Sequence, residues 1–345
     1  KRSFMFICAA ALLLTGCGAS ADEASAQLFA MDTVMQLDAY GHQVKQAVSD
    51  AEETIQALEA RLSRTREDSL VSVLNQNGAA QDLSAAEQAL LSEALTFRDA
   101  TGGAFDITIA PVMDAWGFTG DSYRVPAQDE LDALLENVNS DEIRLSGSSV
   151  TLGARQAIDL GGIAKGYTSD CVEAVFRENK IESGKISLGG NVFVLGGKPD
   201  GADWRVGIRD PQDENALAAV LTLRDAYAIT SGGYERYFTE NGNTYHHIID
   251  PSTGYPADSG LLSVTVVAEA NGPDFSGPGN GTMCDAFSTA LFVMGEERAL
   301  EFWRTGGYDF DLVLVTADGR VIITDGLSDR FEAVKDSGYT YETVS

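Results

Sequence analysis

Three histidines and four cysteines in a chain of 345 residues leave little material for a zinc centre, and no Cys/His spacing in the sequence suits one. Two of the cysteines, Cys8 and Cys17, fall close to the N-terminus, so only Cys171 and Cys284 are left for a folded body. Both lie in apolar, helix-like runs, which favours free thiols over a disulfide. Positive charge is scarce as well. Against 52 Asp and Glu stand 24 Lys and Arg, a formal net charge of −28 that repels nucleic acid and anionic headgroups. No nucleic-acid partner is expected. Any phosphate held by this chain needs a metal ion, backbone N–H groups and a few local cations.

The apolar stretch at residues 4–14 is too short to span a bilayer as a permanent helix. Preceded by Lys1-Arg2 and closed by Leu14-Thr15-Gly16-Cys17, it reads as a secretory leader ending in a bacterial lipobox. On that reading residues 1–16 are a signal peptide, Cys17 is lipidated, and the small, polar residues 17–27 are a tether. The chain is then expected on the outer side of the cytoplasmic membrane, held there by its lipid.

Beyond the tether the hydrophobic pattern alternates between two periods. Residues 27–40 suggest a strand, whereas Val44, Ala47, Val48, Ala51, Ile55, Leu58 and Leu62 recur at helical spacing across 43–64. A second amphipathic helix is predicted over 84–101, stopped by Gly102-Gly103, and a third over 166–179. A hairpin is predicted at 143–152. Strands are predicted at 186–188, 192–195 and 204–208, and from 218 to 267 the pattern is mostly strand, in short runs separated by Gly, Asn and Asp turns, which favours antiparallel pairing. The expected class is α+β, mostly antiparallel sheets with packed helices, in two closely joined lobes over residues 28–340. Residues 269–283 have loop composition, rich in Gly and Pro. A mobile loop beside the site is expected there; a lid, a docking loop and a plain surface insertion all fit.

The residues that carry chemistry cluster in a few stretches. Asp285 and Thr289 lie four apart in the helix-like run 283–295, hence on one face, and offer the hard oxygens that Mg²⁺ selects. Taken alone, Asp285 reads equally as a capping acid at a helix start. In Asp159-Leu160-Gly161-Gly162-Ile163-Ala164-Lys165, glycines lead into a helix whose N–H groups, with the Lys165 ammonium, suit phosphate; alone, this is an ordinary tight turn. The spacing is not that of a Walker A loop. Ala104-Phe105-Asp106, with Trp116-Gly117-Phe118 nearby, could present an aromatic platform to a planar heterocycle, although core packing explains Trp116 and Phe118 better. Gly189-Gly190 and Gly232-Gly233 repeat the glycine turn at strand ends. In His246-His247-Ile248-Ile249-Asp250-Pro251-Ser252-Thr253-Gly254, His247 reads either as a candidate general base or as a residue that hydrogen-bonds the Asp250–Gly254 turn, and His246 as structural or peripheral.

In this order, together with Met31-Asp32-Thr33, Trp204-Arg205-Val206-Gly207-Ile208-Arg209-Asp210-Pro211 and Ser231-Gly232-Gly233-Tyr234-Glu235-Arg236, these stretches resemble the ApbE family of FAD:protein FMN transferases, bacterial lipoproteins. The resemblance runs from about residue 31 to about residue 326. It implies an ApbE-like, T-fold-like architecture and a Mg²⁺-dependent enzyme that transfers FMN from FAD to a Thr or Ser hydroxyl of an acceptor protein, releasing AMP. Exported redox-complex subunits and flavin-bearing electron carriers are the acceptors it implies. Carried over by position, Asp285 and Thr289 hold Mg²⁺ with their side chains and Gly162 with its carbonyl. Met31, Thr65, Ala104, Phe105, Asp106, Asp159 and Lys165 contact FAD; the segment around Thr65 matches weakly, and Lys165 stands where some relatives have Glu. Two other classes stay open at this point: a Mg²⁺-dependent FAD pyrophosphatase using water, and a lipoprotein that binds flavin without catalysis.

Overall fold

The computed structural model describes residues 22–120, 122–272 and 275–345. The leader, the lipobox and Cys17 lie outside the described residues. Strands β1 (Glu23–Ala30) and β2 (Thr33–Tyr40) form a hairpin, so the single strand predicted over 27–40 is two. The break falls at Met31 and Asp32, whose φ of 49° and 59° provide the two left-handed residues of a tight hairpin turn. Residues 23–27, expected in the tether, are strand: Glu23 pairs with Tyr40 and Gln27 with Gln36.

Helices α1 (Val44–Leu62), α2 (Leu70–Asn77) and α3 (Ala85–Ala100) follow, with the short β3 (Ala79–Ala80) between the last two. Ser84 and Glu87 close a capping box at the start of α3. Then come α4 (Ala110–Trp116), α5 (Gln128–Leu135), the small hairpin β4 (Arg144–Ser146) and β5 (Ser149–Thr151), and α6 (Ala164–Glu178). The strand-rich centre holds β6 (Ser183–Leu188), β7 (Asn191–Leu195), β8 (Trp204–Asp210), β9 (Asp213–Leu223), β10 (Ala226–Gly232), β11 (Tyr237–Glu240), β12 (Asn243–His246) and β13 (Leu261–Glu269). Helices α7 (Asn280–Met294) and α8 (Glu296–Thr305) precede β14 (Asp311–Thr316), β15 (Arg320–Thr324), β16 (Phe331–Ala333) and β17 (Thr340–Val344).

Nine strands make the main sheet, in the order β1-β2-β6-β7-β10-β13-β14-β15-β17, antiparallel except for the β15–β17 pair. Alternation puts Ile186, Leu188, Ile229, Val264 and Val266 on one face with residues of α1, α6 and α7, forming the larger core. Val194, Ala226, Ala228, Val267 and Val313 face the other way and pack under the three-stranded sheet β16-β9-β8. The two lobes expected from the sequence are therefore layers on opposite faces of one sheet. A third cluster joins α4 and α5 to the β11–β12 hairpin through Val112, Trp116, Phe118, Leu131 and Ile249. Trp116 is fully buried and donates its indole N–H to the Gly254 carbonyl at 2.7 Å, which makes it core rather than platform. No helix among the described residues is long and apolar enough to cross a membrane.

Candidate active site

Two central helices set the site, and each caps the other. Asp170, on α6, is fully buried and accepts five hydrogen bonds: from the N–H groups of Gly279, Gly281 and Thr282, the Thr282 hydroxyl and the Asn271 amide. It thus satisfies the open N–H groups at the start of α7, work that a local cap does elsewhere. In return Asp285, on α7, accepts the Gly166 N–H in the first turn of α6 at 2.8 Å. The helices cross so closely that a Cβ on Gly166 would lie 2.2 Å from the Gly281 carbonyl oxygen and 2.6 Å from Asp285 Cβ. Only glycine fits there. Because α7 starts at Asn280, Asp285 stands in its second turn and is not the cap of its own helix.

Burial raises the pKa of both Asp170 and Glu173, the latter bonded to the Tyr227 hydroxyl and the Asn271 amide beside Asp170. Asn271 anchors the start of the Gly/Pro-rich loop to this buried cluster. Gly272 and Phe275 of that loop line a separate hollow of about 500 Å³ near the C-terminal half of α6. No described residue of 272–281 lines the main cleft, so the loop expected beside the site borders that separate hollow instead.

That cleft, about 920 Å³ in volume, is lined by every site residue the sequence nominated: Met31, Thr65, Ala104, Phe105, Asp106, Asp159, Gly162, Lys165, His247, Asp285 and Thr289. Its size matches a large small-molecule site. Asp285 is 3% exposed; Gly166 occupies Oδ2, and Oδ1 has no hydrogen-bond partner among the described residues. One turn on, the Thr289 hydroxyl is 3.2 Å from Ser231 Oγ, itself 2.8 Å from Ser288 Oγ. A Cβ on Gly162 would stand 3.4 Å from Thr289 Oγ1, so the Gly161–Gly162 turn lies directly against that hydroxyl. Asp285, Thr289 and Gly162 are brought together. Among the described residues there is no cluster of three His, Cys, Asp or Glu. The oxygens present form a sparse, hard set of the kind Mg²⁺ accepts when phosphates and water complete its shell.

His247 sits half-buried at the cleft wall, with Nδ1 3.2 Å from the Arg236 carbonyl oxygen. Nδ1 is then the N–H donor, and Nε2 carries the lone pair that can take a proton. Burial drives its pKa down to about 3, helped by the Arg236 and Lys165 cations, so the ring is neutral at physiological pH. His246 is saturated: its ring nitrogens meet the Ala257 carbonyl at 3.1 Å and the Ile248 N–H at 3.3 Å, and it does not line the cleft.

Two assignments change in detail. The Asp106 carboxylate is buried and spent on the Thr108 N–H and hydroxyl and on Ser140, so any contact it makes with a ligand is through its backbone. Asp159 Oδ1 accepts the Gly161 N–H at 2.7 Å, and its Oδ2 accepts from Arg64 Nη1 at 2.9 Å. Arg64, which sequence reasoning passed over, clamps Asp159, Asp114 and Thr119 together at 2.8–2.9 Å and ties the end of α1 to the glycine turn. Its sole sequence signal was its place beside Thr65. Thr65 itself is exposed on the rim, bonded to Ser63.

The ApbE family model matches residues 31–311, and the chain belongs to the ApbE family. It is 33% identical over 308 residues to an FAD:protein FMN transferase of Treponema pallidum, covering 84% of this chain and 82% of that one. A second such enzyme, from Klebsiella pneumoniae, is 35% identical over 68% of this chain and 70% of its own length. The crystal structure of the ApbE protein from Thermotoga maritima superposes with a TM-score of 0.79 at 29% identity, over 91% of this chain and 97% of that one. The ApbE flavin transferase of Vibrio cholerae shares the fold, with a TM-score of 0.74 at 24% identity over 92% and 98% of the two chains.

Proposed function

We propose that this protein is an FAD:protein FMN transferase that moves FMN from FAD to a Thr or Ser hydroxyl of an acceptor protein and releases AMP. The observation that carries it is the convergence on one cleft of the Asp285/Thr289 pair with Gly162 and His247, which come from three separate stretches of the sequence. The free Asp285 oxygen, the Thr289 hydroxyl and the Gly162 carbonyl would hold Mg²⁺. Bound there, the ion supplies the charge neutralisation that a diphosphate needs for phosphoryl transfer.

The chain's own residues do the rest. Lys165 and Arg236, whose charges reach His247, line the cleft and attract the diphosphate. The acceptor oxygen attacks the flavin-side phosphorus; its new P–O bond forms as the anhydride bond breaks, and AMP leaves with the bridging oxygen. The hydroxyl proton passes to His247 Nε2. Burial does most to hold the ring's pKa low and the cations add to it; diphosphate bound between His247 and those cations offsets their part and moves the ring toward a working base.

Residues 1–17 support a further assignment, lipid anchoring through Cys17 on the outer face of the cytoplasmic membrane. To test the activity, exported redox-complex subunits and electron-carrier domains are co-expressed with this chain and analysed by mass spectrometry. An FMN adduct on threonine or serine, dependent on Mg²⁺, is the expected result. AMP released from FAD at a rate indifferent to acceptor would make the protein a pyrophosphatase, and no AMP at all would make it a carrier.

A further inference from the structure

The cleft runs around the end of the main sheet. Met31, Ala104, Phe105, Asp159 and Lys165 all belong to its helical side. Val192 also lines it, yet packs against the second core on the opposite face of the sheet. The cleft therefore passes the β6–β7 turn, Gly189–Gly190, and opens a second arm between β2 and β8. Gly189 and Gly190, with φ of 58° and 97°, and Gly207 line that arm, with Thr33, Glu235 and Leu217 packed against them.

The mouth of this arm carries features that the flavin site leaves unused. Phe29 and Val34 face each other across the β1–β2 hairpin and are 71% and 55% exposed, a large apolar pair in plain solvent. They lie at the sheet's open edge, since β1 is its outermost strand. On the facing wall the Arg209 guanidinium rests over Tyr234, 5.9 Å from the ring centroid, and makes no ion pair among the described residues. In a chain with net charge −28, an exposed arginine in the same cleft as Val34, near the Glu235 carboxylate, is a recognition element rather than a solubilising one.

Resting on the transferase reading, we infer that the second arm is the acceptor's entrance. An extended segment of the acceptor protein lies between β2 and β8, an apolar side chain seated on Phe29 and Val34 and a carboxylate on Arg209. Its hydroxyl reaches the phosphorus past Gly189–Gly190. In-line displacement requires the nucleophile to arrive opposite the departing AMP, which an entrance separate from the flavin contacts allows.

Val34→Glu and Arg209→Glu test this, with a purified redox-complex subunit that the wild-type chain flavinylates as the probe. Each variant should raise the subunit concentration needed for half-maximal transfer by about ten-fold or more, while FAD affinity, read from flavin fluorescence with Mg²⁺, stays within about two-fold. Unchanged acceptor dependence in both variants overturns the inference. So does a parallel loss of FAD affinity, which would make the arm part of the flavin site. If no exported subunit is modified by the wild type, the transferase reading fails first and takes this inference with it.

Discussion

Asp285 divides its two carboxylate oxygens between a helix and the open cleft, and the division can be read experimentally. In Asp285→Asn the amide oxygen can still accept the Gly166 N–H, so stability should stay within about 1 kcal/mol of wild type in a denaturant titration. Mg²⁺-dependent transfer should nevertheless fall by at least about 100-fold, because a neutral amide cannot replace the anionic ligand. Asp285→Ala should lose both, with a further cost of about 1–3 kcal/mol for the unsatisfied buried N–H. His247→Ala should keep FAD affinity and slow turnover by roughly 10²- to 10⁴-fold, measured as kcat for AMP release. The pH profile carries a sharper prediction. Burial lowers the His247 pKa to about 3, so the free protein holds the basic form throughout the neutral range. The acid limb of kcat/KM should lie well below 6.5, the ordinary value for histidine. A limb at 6.5 would place His247 in water rather than in the cleft wall.

At the scale of elements, α6 and α7 form a unit whose start signals are exchanged. The sequence revealed both helices by period, but it put the start of α7 at 283 because the cap of that helix, Asp170, lies 111 and 112 residues upstream of the amides it serves. No local pattern encodes a cap lent by another helix. The β1–β2 turn was hidden for a related reason. Met31 and Asp32 adopt positive φ without being Gly or Asn, so the usual turn residues were missing and two strands read as one. The Arg64 clamp joins partners 50 and 95 residues away and left no local trace. Gly166 tests the unit directly. Gly166→Ala pushes a methyl into the Gly281 carbonyl and Asp285, and should cost about 1–3 kcal/mol, seen as a lowered denaturation midpoint with unchanged m-value. It should also weaken Mg²⁺ binding, since the helices can relieve the clash only by moving Asp285 away from Gly162.

For the molecule as a whole, the α+β class and the membership of the cleft were legible because the motif residues are short, ordered blocks, and the sheet end gathers those blocks into one place. What was not legible is how the blocks divide between the two faces of the sheet. Alternation says which residues share a face but not which element covers it, so the second arm came into view only with β8 laid across β7 and β10. The charge of −28 bears on location too. Such a surface is repelled by anionic lipid, and on the lipobox reading a lipid on Cys17 would hold the protein to the membrane instead. Cys17→Ser should therefore move the chain from the membrane fraction to the soluble one, and a variant that still sediments with membranes would refute that anchor.

The account rests on a divalent ion seated by Asp285, Thr289 and Gly162 at the diphosphate of FAD. The direct measurement is the mass of a purified acceptor after incubation with FAD and either the wild-type chain or Asp285→Asn, across a Mg²⁺ titration. The expected result is an FMN adduct that rises with Mg²⁺ for the wild type and is absent, or appears only at far higher Mg²⁺, for the variant. Equal adduct from both proteins at the same Mg²⁺ would contradict it.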